Sequence, residues 1–188
     1  FFCLSALEFY DGNGQKIELT EDDLSTNADH NTLNPENPDG GGIAALFDGD
    51  NNTFFHSAWS VGAPKPHNLI LDLGETKELE GLTVKILKRN TSEHNANRAV
   101  TEWMIYGTND DPNVEGATPN WSAQGKLTLK YQYDYEVEGD TVKNGIGLGA
   151  SILTDAFRYL RFDAVNNLNG EVNQFFAFSE FGVWAATE

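Results

Sequence analysis

Residues 43–60 read IAALFDGDNNTFFHSAWS and bring acidic, amide, hydroxyl, imidazole and indole side chains into one short run. Asp48, Asp50 and Thr53 carry hard oxygen donors close together in the chain, and this is the donor type that Ca²⁺ binds. Gly49 allows the chain to turn sharply between the two aspartates. The run therefore predicts a calcium loop that leads directly into a ligand-binding loop.

Two other interpretations of this run are possible. An EF-hand loop requires Gly at its sixth position and Glu at its twelfth, and counted from Asp48 those positions hold Thr53 and Trp59, which excludes it. A solvated polar turn is the second interpretation, because Asp, Gly and Asn dominate turns for purely local reasons. The apolar residues on both sides, IAALF before and FF after, favour instead a loop whose ends are anchored in a core.

The composition excludes several classes of function. A formal net charge of −17 in 188 residues opposes binding to nucleic acid or to an anionic membrane surface, because both would repel the chain. Cys3 is the single cysteine, so no internal disulfide can form, and a bound metal is the expected supplement to packing. No apolar run approaches the length that spans a bilayer, and membrane insertion is not expected. The length suits one domain covering residues 1–188.

Short apolar stretches separated by Gly, Asn and Asp predict an all-β chain. Residues 1–42 are expected to form a hairpin around the turn sequence DGNG and then a long irregular loop, both packed on the rest of the fold. The segments 118–125 and 138–149 are also expected to be loops. Further strands are predicted at 68–73, 82–88, 100–108, 127–137, 157–165 and 175–185. About eight main strands separated by turns fit a jelly-roll β-sandwich.

Several motifs of the chain resemble one known family. The sequence A-x-x-DGD-x-x-T-x-F-H-S, followed by PHNLILDLG, resembles the start of a factor V/VIII type C (discoidin) domain. The resemblance continues in the same order through LTVKILKRN, WMIYGTNDD, FRYLRFDAV and FAFSEFGVW, so it covers most of the chain. Within that family the chain most resembles the family 32 carbohydrate-binding modules, which have a galactose-binding-domain-like fold. The resemblance implies a jelly-roll β-sandwich that binds its ligand through loops at one end.

The resemblance also implies a structural Ca²⁺ ion that joins the two ends of the domain. In the family, the first loop supplies carbonyl and side-chain oxygens, and the last strand supplies a glutamate. The matching donors in this chain are Ala45, Asp48, Asp50, Thr53, Ser179 and Glu180. Glu180 could instead be a solvated carboxylate at a strand edge. The aromatic residues on both sides of it predict burial, however, and an unpaired buried charge would be costly.

Three loops form the ligand site in related modules, one after the calcium motif, one after the LTVKILKRN strand and one before the last strand. Sugar recognition needs a flat apolar surface and a few placed hydrogen-bonding groups, and these loops contain both. The ligand-binding residues implied by the resemblance are His56, Trp59, Arg89, Asn90, Arg98, Phe175 and Phe176, with His94 and Asn173 in the same loops. Phe175 and Phe176 are adjacent, so on a strand their side chains point to opposite faces and at most one belongs to the core.

Most of these residues also have a purely structural interpretation. His56 is either a ligand contact or a hydrogen-bonded scaffold histidine. Trp59 is either a ligand contact or part of the core. Arg89 and Arg98 are either a fork for sugar hydroxyls and carboxylates or solvated loop charges.

The expected function is that of a non-catalytic carbohydrate-binding module of a secreted or cell-surface bacterial protein. Glycans are the expected partners, and the chain is expected to be one domain of a larger glycan-active or adhesion protein. The sequence contains no G-x-S-x-G and no H-E-x-x-H motif, so no enzymatic activity is predicted. The alternative is a discoidin-type adhesion module that binds a protein partner.

Overall fold

The computed structural model describes residues 2–28, 42–50, 53–57, 64–79, 81–88, 97–132, 135–137, 140–142 and 146–186. Over these residues the chain forms strands and two short 3₁₀ helices, at Glu21–Asp23 and Ile43–Leu46, and no α-helix. None of the described elements is a helix long and apolar enough to span a membrane. The all-β prediction is confirmed.

The strands follow the apolar alternation of the sequence closely. Eight of those described have six or more residues, in agreement with the predicted number of main strands. In chain order the strands are β1 (Phe2–Tyr10), β2 (Lys16–Ile17), β3 (Leu24–Ser25), β4 (Phe55–His56), β5 (His67–Lys77), β6 (Gly81–Lys88), β7 (Val100–Thr108), β8 (Ser122–Thr128), β9 (Lys130–Gln132), β10 (Tyr135–Val137), β11 (Asp140–Val142), β12 (Ile146–Ser151), β13 (Phe157–Asn167) and β14 (Phe176–Ala186).

The strands form a β-sandwich. One sheet has seven strands in the order β2-β1-β14-β6-β12-β9, with β4 paired to β1, and the other has five in the order β3-β5-β13-β7-β8. A separate ribbon consists of β10 and β11. The pair β1 and β14 is parallel, whereas the other described strand pairs are antiparallel. Both β1 and β14 therefore start at the same end of the sandwich.

Aromatic side chains fill the core between the two sheets. Trp103 and Phe162 come from the five-stranded sheet and Phe181 from the seven-stranded sheet, and none of the three has any exposed surface. The ring of Phe181 lies 5.1 Å from that of Trp103 and 5.5 Å from that of Phe162, centroid to centroid. Such contacts across the sheet interface are worth more than burial of their area alone.

The N-terminal hairpin is confirmed, but its first strand has a larger role than the sequence suggested. β2 pairs with β1 through Phe9 and Ile17, as expected for the hairpin. β1 itself lies inside the seven-stranded sheet, and its residues Phe2 and Leu4 are fully buried. It is a structural strand of the sandwich and not an element packed upon it. Of the predicted loop at 21–42, residues 29–41 lie outside the described part of the chain.

Two segments predicted to be loops contain strands. The strand β8 begins at Ser122, inside the predicted loop 118–125. The glycine-rich end of the segment 138–149 belongs to β12, which pairs with β6 and β9. A Cβ on Gly147 would lie 2.6 Å from the ring of Tyr131, and one on Gly149 would lie 2.8 Å from Leu127. These glycines leave room for the side chains of Tyr131 and Leu127. The glycine-rich composition was therefore misleading when it predicted a loop.

Candidate functional site

The acidic loop is held at both ends by buried apolar residues. Before it, Ile43 and Leu46 of the second 3₁₀ helix are 8% and 3% exposed, and after it Phe55 is 1% exposed. Gly49 has a φ of +73°, the left-handed conformation that glycine adopts without strain. The backbone N–H of Asp50 donates to Asp48 Oδ1 at 2.8 Å. The predicted anchoring of this loop in the core is confirmed.

Four oxygen-bearing groups of the loop converge at Thr53. Its Oγ1 lies 2.7 Å from Asp48 Oδ2, 2.9 Å from the carbonyl oxygen of Asp50 and 3.5 Å from that of Ala45. A hydroxyl has one proton, so it donates to one of these three acceptors at a time. The carbonyl oxygen of Asp50 also accepts the backbone N–H of Thr53 at 3.1 Å. A cation with hard oxygen ligands would satisfy this arrangement, and the donor set therefore fits Ca²⁺.

The carboxyl group of Asp48 is suited to binding a cation. The hydrogen bond from Thr53, followed by that from the backbone of Asp50, lowers its pKa below the ordinary value. Asp48 is therefore ionised at neutral pH. Within the described residues no three His, Cys, Asp or Glu side chains gather in one place.

The last strand pairs with β1, which contacts the 3₁₀ helix at the start of this loop. Glu180 of β14 pairs in parallel with Ala6 of β1. Ala6 lines a cleft of about 270 Å³ together with Ala45, Asp48 and Asp50. The side chains of Ser179 and Glu180 lie outside the described part of the structure, and the register places the backbone of Glu180 next to Ala6.

A second cluster lies where β1, β5, β7 and β14 begin. Arg98 immediately precedes β7, and its carbonyl oxygen accepts a hydrogen bond from the backbone N–H of Ala177 at 3.1 Å. The guanidinium carbon of Arg98 lies 4.7 Å from the ring centroid of Phe175, within the range of a cation–π interaction. Arg98 is 9% exposed, whereas Phe175 is partly exposed. The structure thus joins two of the predicted loops in one stacked pair.

The buried amide of Asn167 fixes the backbone that carries Phe175. It is 2% exposed, and its Nδ2 donates to the carbonyl oxygen of Phe175 at 2.7 Å and to Glu171 Oε2 at 2.8 Å. Its Oδ1 accepts hydrogen bonds from the backbone N–H groups of Asn169 and Glu171, each at 3.0 Å. One buried amide therefore fixes the loop between β13 and β14. The sequence analysis missed Asn167, although the asparagine-rich run directly after a predicted strand could have indicated it.

The two adjacent phenylalanines lie in different environments. Phe176 has no exposed surface, and its ring centroid lies 6.5 Å from that of Phe2 in the core. Its predicted role as a ligand contact is therefore corrected to a core role. Phe175, which directly precedes β14, is the member of the pair that reaches the surface.

Two histidines lie below the same end of the sandwich. His56 is 4% exposed, and its Nδ1 lies 2.6 Å from the carbonyl oxygen of Ser57. Ser57 in turn accepts a hydrogen bond on Oγ from the backbone N–H of Phe2 at 2.8 Å. His67, which the sequence analysis did not single out, is 1% exposed, and burial lowers its pKa to about 4. Its Nε2 lies 3.2 Å from the carbonyl oxygen of Gln174, so this neutral ring supports the loop that carries Phe175.

The other predicted ligand residues are outside the described part of the chain. They are Trp59, Arg89, Asn90 and His94. Their assignments stay predictions. Among the described residues, Arg98, Phe175 and His56 lie at the same end of the sandwich.

Comparison with known proteins gives one family match. A family model described as DUF5000, a domain of unknown function, matches residues 47–185. No curated protein sequence matches the chain.

Several solved structures are similar to this chain. One is CpGH89CBM32-5 from Clostridium perfringens in complex with GalNAc-β-1,3-galactose, with 17% identity over 86% of this chain and 94% of that chain and a TM-score of 0.51. The family 32 module of C. perfringens NanJ, in complex with galactose, has 15% identity over 87% and 88% of the two chains and a TM-score of 0.40. A fragment of a putative chitobiase from Bacteroides thetaiotaomicron has 16% identity over 93% and 95% and a TM-score of 0.48. The first comparison shows that the chain has the β-sandwich fold of a family 32 module.

Proposed function

The chain belongs to the DUF5000 family of domains of unknown function, and we propose that it is a non-catalytic carbohydrate-binding module. Glycans would bind at the end of the sandwich where β1, β5, β7 and β14 begin. Binding would be reversible and weak, as is usual for a small exposed site.

The observation that carries this proposal is the stacked pair of Arg98 and Phe175. A pyranose ring presents a flat C–H face that packs on an aromatic ring, and its hydroxyl groups need hydrogen-bond partners at the edge of that ring. Phe175 supplies a partly exposed ring, and Arg98 supplies N–H donors next to it. Asn167 holds the carbonyl of Phe175 in place, so the pair is ordered before a ligand arrives.

The fold supports the same conclusion. The family 32 module with the TM-score of 0.51 was solved with a galactose-containing disaccharide. Loops at one end of such a sandwich can change their side chains without disturbing the core. Trp59, Arg89, Asn90 and His56 complete the proposed site.

A structural Ca²⁺ ion forms part of the proposal. Its ligands would be Ala45, Asp48, Asp50, Thr53, Ser179 and Glu180, which join the first loop to the last strand. Convergence of four of these groups at Thr53 and the register of Glu180 beside Ala6 support the assignment. The ion would supply charge balance and cross-linking between distant segments and would take part in no reaction.

The setting of the module follows from these proposals. A calcium-dependent glycan receptor is suited to the exterior of a cell, and we place it in a secreted or surface-exposed bacterial protein. It would act as one domain of a larger glycan-active protein, without a catalytic role of its own.

Isothermal titration with galactose and with GalNAc-β-1,3-galactose, in buffer containing calcium, tests the proposed site. Wild type should bind at least one of the two sugars. Phe175→Ala should lower the affinity about tenfold, since a truncated platform residue typically costs more than 1 kcal/mol. Val114→Ala is a matched control, because Val114 is 59% exposed and lies in the loop between β7 and β8. Equal affinities of wild type and Phe175→Ala would contradict the proposal.

A protein partner is the second candidate function. Val172 is 55% exposed in the same loop as the partly exposed Phe175, and apolar side chains that form one exposed patch can mark a protein contact. A folded wild type that fails to bind any member of a broad glycan panel would favour this function.

A further inference from the structure

An aromatic pair lies on the outer surface of the seven-stranded sheet, away from the loops. Val183 and Ala185 of β14 are buried in the core, so Trp184 between them lies on the opposite face. Tyr10 is its neighbour on the parallel strand β1. The two rings stack with 4.9 Å between their centroids and 3° between their planes, and both side chains are partly exposed.

Neighbouring residues hold this pair in position. A Cβ on Gly182 would lie 2.6 Å from the indole of Trp184, so the missing side chain allows the indole to cover the strand there. The hydroxyl of Tyr10 donates to Glu8 Oε2 at 2.7 Å, and Lys16 Nζ lies 3.2 Å from Glu8 Oε1. Preorganised rings of this kind lose little conformational entropy when a ligand binds.

The second face of the indole is turned towards β6. β1 and β6 lie on opposite sides of β14, and Tyr10 on β1 covers the first face. The residue that pairs with Trp184 on β6 is Thr83, and the residue that pairs with Thr83 on β12 is Ala150. Both are small and exposed. The short side chains of Thr83 and Ala150 therefore leave a depression in the outer surface of the sheet beside the indole. This depression is the step.

Polar and apolar groups border this step. In the next row across the sheet, Gly182 of β14 pairs with Lys85 of β6, and Lys85 pairs with Leu148 of β12. Leu148 is 46% exposed. The hydroxyl of Thr83 can act as a hydrogen-bond donor to a ligand seated in the step.

We propose that this step is a second carbohydrate site, which stacks a pyranose ring on the second face of Trp184. A ring hydroxyl would bond to the hydroxyl of Thr83. The choice of ligand class rests on the proposed function, but the residues are different from those at the loop end. Phe176 and Trp184 are eight residues apart on one strand, so the two sites lie roughly 26 Å from each other at about 3.3 Å per residue. A disaccharide cannot reach both sites, whereas a long polysaccharide can.

Because a polysaccharide would bind both sites at once, single and double variants distinguish the contribution of each site. The probe is a soluble galactan in native affinity electrophoresis, with calcium present. Thr83→Tyr fills the step with a ring that can stack on the indole, and tyrosine is well tolerated on an exposed strand position. Thr128→Tyr is the matched control, because Thr128 is also an exposed threonine on a strand but lies on β8 of the five-stranded sheet. A melting curve for each variant establishes that the fold is retained.

The expected result has three parts. Phe175→Ala should leave weaker but measurable retardation by galactan, Thr83→Tyr added to it should abolish that retardation, and Thr128→Tyr added to it should not. Wild type should bind galactan about tenfold more tightly than either single variant, through avidity.

Other results overturn one proposal or the other. Complete loss of retardation in Phe175→Ala alone would overturn the sheet-face site and would support the loop-end function. Unchanged retardation in Phe175→Ala, with complete loss in Thr83→Tyr, would overturn the loop-end function and leave the sheet face as the binding site. Absence of retardation in wild type would contradict both.

Discussion

Phe2 and Phe176 pair on the parallel strands β1 and β14, and their ring centroids lie 6.5 Å apart in the core. The family match begins at residue 47, so β1 lies outside it although it is an inner strand of the seven-stranded sheet. Phe2 also contacts Phe178 and Trp103 at 5.5 Å and 6.5 Å. We therefore propose that the folding unit comprises the whole chain, residues 1–188, and not only the matched segment.

Phe2→Ala should lower the free energy of unfolding by about 3–5 kcal/mol, because it removes a fully buried ring and leaves a cavity. Urea denaturation measures the effect. Leu148→Ala, at a residue that is 46% exposed, should cost far less. A fragment that begins at residue 47 should not fold, and a stable fragment would contradict the role of β1.

Asp48→Asn should abolish stabilisation by calcium. Wild type should melt at a higher temperature with calcium than with a chelator, since an ion at 100 times its Kd adds about 2.7 kcal/mol. Asp11 is a suitable control, because it accepts backbone hydrogen bonds in a similar turn, at 2.9 Å from Asn13 and 2.8 Å from Gln15, away from the proposed ion. Asp11→Asn should keep the calcium response. A wild-type melting temperature that is the same in calcium and chelator would rule out the proposed ion.

Asn167→Ala should destabilise the protein by on the order of 3 kcal/mol, because it leaves two backbone N–H groups and one carbonyl without their buried partner. It should also weaken glycan binding, since the loop that carries Phe175 loses its anchor. Asn167→Asp keeps the two acceptor bonds, but its second oxygen replaces the donor that faces Glu171 Oε2 and the carbonyl oxygen of Phe175. At neutral pH it should therefore be no more stable than Asn167→Ala and should bind glycans as weakly. Affinity retained by either variant would show that Asn167 has only a structural role.

His67 should make stability depend on pH below neutrality. Its pKa is about 4 in the folded chain, against about 6.5 for an unperturbed histidine in the unfolded chain. Between these values the unfolded chain binds more protons, so stability is complete above about pH 6.5 and falls as the pH drops towards 4. The full change amounts to about 3 kcal/mol. Urea denaturation at pH 7 and pH 5 should show a smaller difference in His67→Gln than in wild type, and parallel pH profiles would contradict this.

Local sequence patterns predicted a large part of the fold. The strands β7, β13 and β14 alternate between buried and outward residues, and their bounds match the predicted segments closely. The grouping of oxygens around Thr53 could also be predicted from the sequence, because the residues that supply them lie within nine residues of one another in the chain. The strand β12 was predicted to be a loop because it is rich in glycine. Its glycines are needed because Tyr131 and Leu127 of other strands pack closely against them. Local composition holds no information about such neighbours.

The sequence by itself determined the all-β class, the anchored acidic loop and the stretches that supply the loop-end residues. These features depend on side-chain period and on donors close together in the chain, and both are local properties. Only the tertiary structure decided that β1 lies parallel to β14, that Phe175 and not Phe176 reaches the surface, and that Tyr10 stacks on Trp184. The physical reason is register: a shift of one residue between strands exchanges the inner and outer faces, and the partner strand is chosen by packing across the whole chain.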